Sequence, residues 1–217
     1  MSTPVRNRRV VLVAGPSGSG KSHLASRCGL PVLCLDEFYK NGDDPTCPRH
    51  PELGIVDWDD PRAWDADAAM AAIEQICHTG SAEIPRYDIS ADRAIGAVTF
   101  DAGNAPAFVA EGVFVAEVVG RCRDAGLLAD AVVIARAPWK NFVRRLARDL
   151  AERRKPPMTL VRRGRALMAE ESALVASLVA AGCRPVSGDE AGRVLAAWGK
   201  QPLVDSAQPD PPTRADR

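Results

Sequence analysis

A glycine-rich stretch near the start of the chain has the residues and the spacing of a phosphate-binding loop. Residues 15–22 read GPSGSGKS, which fits the pattern G-x-x-x-x-G-K-[ST]. They follow an apolar run and open a helical pattern, which is the context that the motif requires. Glycines let backbone N–H groups turn inward around phosphate, and the helix that follows supplies its positive end. The stretch therefore predicts a site for a nucleoside triphosphate; the alternative is a glycine-rich turn with a chance lysine.

Two side chains of this loop have separate predicted roles. Lys21 is expected to reach the β- and γ-phosphates, and the Ser22 hydroxyl is expected to bind Mg²⁺. His23 lies in the first turn of the predicted helix. The predicted nucleotide-binding residues are Gly15, Pro16, Ser17, Gly18, Ser19, Gly20, Lys21, Ser22 and His23.

Carboxylates end two further apolar runs. Asp36 closes the run at 31–36 and Glu111 closes the run at 105–112. The carboxyl ends of parallel strands face the ligand crevice, so both groups should point toward the phosphate loop. A carboxylate there can accept the proton of an attacking hydroxyl or hold Mg²⁺. Alternatively, Asp36 caps the next turn, and its neighbour Glu37 is expected to be solvated.

The elements that must position these groups alternate along the chain. Helical patterns lie between short apolar runs, and this alternation predicts an α/β P-loop fold with a five-stranded parallel sheet flanked by helices. The predicted strands are 8–15, 31–36, 105–112, 130–137 and 183–188. The predicted helices are 20–28, 61–79 opened by Asp60 and Pro61, 113–126, 138–154, and a last one opened by Ser187 and Glu190. The segment 82–103 breaks the alternation and is predicted to form a β-hairpin outside the main sheet.

Composition sets the wider limits. The 217 residues are 46% hydrophobic, which suits one domain over 1–200, followed by a proline-rich tail over 201–217 that is predicted to be disordered. The 28 basic and 28 acidic residues cancel, so no global field favours nucleic acid or a membrane as a partner. Six scattered cysteines without metal-type spacing, and no apolar segment long enough for a bilayer, lead us to expect a cytoplasmic protein.

The motifs together resemble the uridine kinases. In that family's order, residues 9–155 contain GPSGSGKS, LDEFYK (35–40), VDWDDPRAWD (56–65), IPRYDISADR (84–93), AEG (110–112) and FVRRLARDLAERRK (142–155). The resemblance implies a fold related to the nucleoside monophosphate kinases. It also implies Mg²⁺-dependent transfer of the γ-phosphate of ATP to the 5′-hydroxyl of uridine or cytidine.

The resemblance assigns roles to single residues. Asp36 matches the general base at the 5′-hydroxyl, with a second place near the metal, and Glu111 matches the carboxylate near Mg²⁺. Asp59 matches an aspartate that binds the ribose hydroxyls, Tyr87 an aromatic that lines the nucleoside pocket, and Arg93 a basic residue just beyond it.

Each acceptor-side assignment has a structural alternative. Asp59 could be a second capping carboxylate beside Asp60, and Tyr87 could be an ordinary strand aromatic. Trp58 and Trp64 flank Asp59 and either wall the substrate pocket or pin the start of the helix; we expect core packing.

The arginine-rich segment resembles the family's lid, over 142–157. By this resemblance Arg145, Arg148 and Arg153 contact the transferring phosphate, where positive charge stabilises the moving group. The alternative is a solvated helix face, since Arg145 and Arg148 each stand four residues before an acidic residue.

One departure from the family keeps the acceptor open. The family commonly has a histidine between the hairpin tyrosine and arginine, but this chain has YDISADR with Ala91 near that position. A different acceptor alcohol, such as another nucleoside, pantothenate or a sugar phosphate, is therefore the first alternative. The second is a regulatory ATPase with no acceptor. The resemblance also allows a homo-oligomer.

Overall fold

The computed structural model describes residues 8–16, 19–51, 54–135 and 172–201. The predicted helix at 138–154, the predicted lid and its three arginines, and the predicted tail beyond residue 201 lie outside these ranges. The same is true of Ser17 and Gly18 in the phosphate loop.

A five-stranded parallel sheet forms the body, as the sequence predicts. Its strands lie in the spatial order β2-β5-β1-β6-β7, and every neighbouring pair is parallel. The strands are β1 (Arg9–Ala14), β2 (Val32–Cys34), β5 (Ala107–Glu111), β6 (Leu128–Ile134) and β7 (Arg184–Val186). The two remaining strands, β3 (Ser81–Asp88) and β4 (Arg93–Asp101), pair antiparallel in a separate hairpin.

Strand β1 lies at the centre of the sheet and is covered on both faces. Its residues from Val10 onward are fully buried, and successive side chains enter different core clusters. Val10 and Leu12 pack on the side of α2 and α3, whereas Val11 and Val13 pack on the side of α1 and the last helix. An uninterrupted β-branched and aliphatic run is what a two-sided buried strand requires. Strand β1 therefore fixes the position of the loop that follows it.

The helices lie where the sequence predicts them, with shifted ends. They are α1 (Lys21–Arg27), α2 (Ala66–Thr79), α3 (Ala116–Asp124) and α4 (Gly188–Gly199), together with a helical stretch over 172–180. Ser187 caps α4 by accepting a hydrogen bond from the Glu190 N–H, as its capping pattern indicates.

The prediction that one helix spans 61–79 is wrong at its start. Asp60 and Pro61 open only a 3₁₀ turn, Pro61–Ala63, and Trp64 is extended. The Trp64 ring is buried and its Nε1–H donates to the Leu35 carbonyl at 2.7 Å. Because this anchor holds the chain extended, the helix starts again at a second cap, where Asp65 accepts from the Ala68 N–H.

A buried arginine braces the base of the hairpin. The Arg8 guanidinium donates to the Gly103 carbonyl at 2.7 Å, just after β4. The same guanidinium lies against Gly80, the residue between α2 and β3. A Cβ added to Gly80 would be 2.8 Å from both Cζ and Nη1 of Arg8. Gly80 has φ 92, a conformation that glycine adopts without strain. The hairpin is therefore held at both of its ends by the residue that precedes β1.

Among the described residues, no helix combines the length and the apolar character that a membrane crossing requires.

We predict that Gly80→Ala destabilises the protein. The new methyl group has to displace the buried Arg8 guanidinium, and the left-handed backbone alone costs about 1 to 2 kcal/mol. Gly120→Ala is the matched control, because Gly120 lies inside α3 with open space at its Cβ and should gain up to about 1 kcal/mol. Urea unfolding of both variants measures the difference. Equal stabilities would contradict the bracing role of Arg8.

Candidate active site

The first glycine of the phosphate loop lies in a space that no other residue fits. Gly15 follows β1 with φ 148. A Cβ on Gly15 would lie 3.0 Å from Ser19 Oγ and 3.2 Å from the Ile134 carbonyl oxygen. Close packing between the ends of β1 and β6 therefore shapes the loop as the motif predicts.

The donors of the loop fit a phosphate chain. The Lys21 ammonium folds back over the loop and donates a hydrogen bond to the Gly15 carbonyl at 2.8 Å. Lys21 is the first residue of α1, and Gly20 before it is the N-cap in a left-handed conformation, φ 91. Ser19 is fully buried, and within the described part of the chain its hydroxyl has no hydrogen-bond partner. The Lys21 ammonium is the cation that a phosphate chain requires, and the start of α1 adds its positive end, so the residues present fit the phosphates of a nucleotide.

The register of the sheet brings Glu111 to the same place. Glu111 ends β5 and pairs with Val13 of β1 and with Cys34 of β2. Its side chain is only 6% exposed and accepts a hydrogen bond from the Ser22 hydroxyl at 2.6 Å. Two of the three predicted metal-binding side chains, Ser22 of α1 and Glu111 of β5, are thus in direct contact.

Asp36 lies beside this pair, in the 3₁₀ turn Leu35–Phe38 that follows β2. The turn approaches closely because the next residue after Glu111 is a glycine: a Cβ on Gly112 would lie 2.8 Å from the Leu35 Cβ and 3.3 Å from Asp36 Oδ1. The Asp36 carboxylate accepts a hydrogen bond from the Val113 N–H. It also feels the charges of both Glu111 and Lys21, so the predicted base lies within the same group of residues.

This surrounding raises the pKa of Asp36. Part of its surface faces solvent, but the protein packed around it desolvates the carboxylate, which is the largest cause of the rise. Repulsion from Glu111 raises the pKa further, and attraction to Lys21 opposes the rise. A carboxylate whose pKa is raised toward neutrality is better suited to accept a proton.

An aromatic cluster of Tyr39, Trp58, Tyr87 and Phe114 lies next to the Asp36 turn. The Tyr39 ring is central: its centroid lies 5.7 Å from Trp58, 5.8 Å from Tyr87 and 5.8 Å from Phe114. Burial raises the Tyr39 pKa, and the charges of Asp36 and Asp59 raise it further, so Tyr39 lies near both carboxylates. The cluster therefore joins the predicted base to the predicted acceptor residues.

The structure tests the alternatives for the acceptor residues in part. Asp59 is exposed, and the capping carboxylates around it are Asp60 and Asp65, so the alternative that Asp59 caps a helix is wrong. Tyr87 belongs to the aromatic cluster, while Arg93 begins β4 opposite Asp88 with its side chain exposed. Trp64 is in the core as expected, whereas Trp58 is only half-buried. His23 is on the first turn of α1 and exposed.

The expectation that Glu37 is merely solvated is wrong. Its side chain is half-buried, and Oε2 accepts a hydrogen bond from the Tyr87 backbone N–H at 2.6 Å. Tyr87 pairs with Ala94, and the N–H groups of both residues face away from the ladder, as they do in every second pair of an antiparallel hairpin, so the Tyr87 N–H needs another acceptor. Sequence reasoning has no signal for the acceptor that it finds.

Two further residues of the site escape sequence reasoning. Phe114 has no motif around it, and its place in the cluster depends on the turn that follows β5. Tyr39 follows three residues after Asp36, the predicted base. This position could have been read from the sequence, because an aromatic so soon after a strand-end carboxylate lies beside the same crevice.

The donor set also suits Mg²⁺ that is held mainly by phosphate. Within the described residues, no group of three or more His, Cys, Asp or Glu side chains could hold a metal ion by itself. Mg²⁺ keeps several waters and takes one or two carboxylates together with substrate phosphates. Ser22, Glu111 and Asp36 provide that kind of partial shell.

We predict that Asp36→Asn stabilises the nucleotide-free protein in a pH-dependent way. Because the folded-state pKa of Asp36 is raised, the folded protein binds more protons than the unfolded chain between the ordinary and the raised value. Wild-type stability therefore falls as pH rises through this window, and the variant escapes the loss. Melting temperatures from pH 3 to 8 should show the advantage of the variant growing with pH.

Asp44→Asn is the control with the opposite sign. Hydrogen bonds from Thr46 lower the Asp44 pKa, so the charged form stabilises the fold above the ordinary pKa and the variant should be the weaker one there. If the melting temperature of Asp36→Asn exceeded that of the wild type by the same amount at every pH, the raised pKa of Asp36 would not be the cause of the difference.

The chain resembles a known kinase in sequence. No family model matches the chain. A uridine kinase from Lactobacillus helveticus is 27% identical over 154 residues, which is 66% of this chain and 69% of that protein.

Solved structures show the fold. A candidate fructose transport system kinase from Silicibacter sp. TM1040 superposes with a TM-score of 0.53 at 18% identity, covering 87% of this chain and 91% of that one. A possible uridine kinase from Bacillus stearothermophilus has a TM-score of 0.44 at 19% identity over 66% of this chain and 78% of its own, which is too low to support a fold assignment. The chain thus has the fold of the P-loop kinases, resembles the uridine kinases in sequence, and is assigned to the ATP-dependent small-molecule kinases.

Proposed function

We propose that this protein transfers the γ-phosphate of ATP to the 5′-hydroxyl of a pyrimidine nucleoside, with Mg²⁺ bound to the phosphates. One observation carries the proposal. Asp36 has the phosphate-side groups Lys21 and Glu111 within electrostatic reach, and the aromatic cluster reaches it through Tyr39. A general base between a triphosphate site and an acceptor pocket is the arrangement that phosphoryl transfer needs.

On the donor side, the loop binds and orients ATP. The amides of the loop, the Ser19 hydroxyl and the Lys21 ammonium hold the phosphate chain, and Ser22 and Glu111 hold the metal. Mg²⁺, when bound, neutralises charge on the β- and γ-phosphates. Lys21 has to leave the Gly15 carbonyl to reach those phosphates.

On the acceptor side, Asp36 orients the hydroxyl and takes its proton. The hydroxyl oxygen forms a bond to the γ-phosphorus while the bond from that phosphorus to the bridging oxygen breaks. The products are a phosphate monoester and ADP, and the proton remains on Asp36 until solvent removes it. The side chains of Arg145, Arg148 and Arg153, which lie outside the described residues, are proposed to stabilise the moving phosphoryl group.

The acceptor itself would lie against the aromatic cluster. Asp59 is exposed beside Tyr39 and can accept hydrogen bonds from two hydroxyl groups of a ribose. Tyr87 supplies an aromatic surface from β3, and Arg93 supplies positive charge at the end of the hairpin.

A second acceptor class is favoured by the packing of the cluster. The ring centroids of Tyr39, Trp58 and Tyr87 lie 5.7 to 6.2 Å apart at interplanar angles of 46° to 86°, so no two of these rings are parallel in the way that a sandwiched base requires. The Tyr87 hydroxyl donates to the Lys40 carbonyl, and the hairpin has no histidine to read a pyrimidine. An alcohol without a base, such as pantothenate, a sugar or a sugar phosphate, would bind with Asp36 and Asp59 alone.

The proposal predicts that label from γ-³²P-ATP moves to uridine or cytidine. The panel is uridine, cytidine, purine nucleosides, pantothenate, sugars and sugar phosphates, with Mg²⁺ and a sample without acceptor. Label on a panel member without a nucleobase would support a kinase whose substrate is not a nucleoside. Label released only to water would contradict transfer to an alcohol and favour a regulatory ATPase.

We predict separate losses for the donor and the acceptor variants. Lys21→Ala should lose productive binding of ATP, because the phosphates lose their cation. Asp36→Asn should keep ATP binding by calorimetry but lose about 10²- to 10⁴-fold in transfer, the usual contribution of a general base. Wild-type transfer in Asp36→Asn would remove the base assignment.

A further inference from the structure

The segment that follows Asp36 is bonded to the hairpin at four points. Four hydrogen bonds join residues 37–42 to residues 87–94 of the hairpin. The donor and acceptor pairs are Tyr87 N–H to Glu37 Oε2 (2.6 Å), Tyr87 O–H to the Lys40 carbonyl (3.2 Å), Ala94 N–H to Asn41 Oδ1 (3.0 Å) and Gly42 N–H to the Asp92 carbonyl (2.7 Å). The hairpin and the turn that carries Asp36 are therefore one connected unit.

The Glu37 bond differs from the other three. It starts in the same 3₁₀ turn as Asp36, one residue along the chain, so a change at Glu37 is transmitted to the base through a single peptide unit. Its acceptor is a carboxylate, and a charge-assisted hydrogen bond is roughly twice as strong as a neutral one. The N–H that it binds faces away from the β-ladder and has no partner in the hairpin.

The same bond fixes the acceptor surface. Tyr87 is the hairpin's contribution to the aromatic cluster, and its backbone is the part that Glu37 holds. Glu37 therefore holds the backbone of Tyr87 near the Asp36 turn, while the bond from the Tyr87 hydroxyl to the Lys40 carbonyl holds the ring. Around Glu37, a cleft of about 210 Å³ opens between β2 and the hairpin, so the hairpin is not held there by continuous packing.

We propose that Glu37 is a positioning residue that holds the hairpin wall of the acceptor pocket at a fixed distance from the base turn. Glu37 does not touch the reacting atoms; it acts through Tyr87. This role rests on the proposed function, because it concerns the acceptor half of the same site.

The test compares Glu37→Ala with Glu37→Gln, using uridine or, where the panel gives another alcohol, the acceptor that the wild type phosphorylates fastest. Glu37→Ala leaves the Tyr87 N–H without its acceptor, and kcat/KM for the alcohol should fall about 10- to 100-fold, the usual range for a hydrogen bond to a charged group. KM for ATP should stay within about twofold. Glu37→Gln keeps an oxygen acceptor and should recover most of the loss.

Glu83→Ala is the matched control. Glu83 is a carboxylate of the same hairpin, but it accepts from the Thr99 hydroxyl on the neighbouring strand and makes no bond to residues 37–42. Its removal should leave kcat/KM for the alcohol unchanged. An equal loss in Glu83→Ala and Glu37→Ala would show general weakening of the hairpin and would overturn the positioning role.

A second readout does not depend on catalysis. Amide hydrogen exchange at Tyr87 should be slow in the wild type and in Glu37→Gln, and fast in Glu37→Ala, while the amides of Ala82 and Ile84 stay protected in all three. Wild-type exchange or wild-type acceptor kinetics in Glu37→Ala would overturn the inference. A wild type that phosphorylates no alcohol of the panel would instead overturn the proposed function, and the positioning role with it.

Discussion

The close approach of two carboxylates, Asp36 and Glu111, is the constraint on which the rest of the site depends. Desolvation by the surrounding protein is the largest cause of the raised pKa of Asp36, and repulsion from Glu111 raises that pKa further. The sheet imposes the approach: the β2–β5 register places Cys34 beside Glu111, and Gly112 removes the side chain that would otherwise push the Asp36 turn away. Lys21 and the Ser22 hydroxyl offset part of the repulsion. A bound metal–triphosphate would offset more of it.

The acceptor half depends on the same turn. The 3₁₀ turn that presents Asp36 toward the phosphates also carries Glu37 toward the hairpin and leads directly into Tyr39 of the aromatic cluster. Residues 35–39 thus carry the predicted base, the bond to the hairpin and the central ring of the aromatic cluster. Trp64 anchors this turn with a hydrogen bond to the Leu35 carbonyl. Asp59 reaches the site from a loop that is secured by the same Trp64 anchor.

The sequence predicts the sheet and its strand-end carboxylates well and the contacts of the hairpin poorly, for physical reasons. The P-loop motif, the strand-end position of Glu111 and the five apolar runs depend on local patterns, and the structure confirms the sheet that they predict. The bond made by Glu37, the place of Phe114 and the interrupted start of α2 depend on contacts between residues that are 29 to 75 positions apart, such as Trp64 with Leu35. No periodicity or spacing encodes these contacts, because they arise only once the hairpin is packed on the turn.

The most direct test of this account is the pH dependence of kcat/KM for phosphate transfer in the wild type and in Glu111→Gln. The acidic limb of this profile reports the ionisation of the essential base in the free enzyme. Since the charge of Glu111 raises the pKa of Asp36, its removal should shift the acidic limb to lower pH, even though the rate on the plateau falls with the loss of a metal-binding group. A limb that stays in place, or that moves to higher pH, would contradict the coupling of the two carboxylates and with it the assignment of Asp36 as the base.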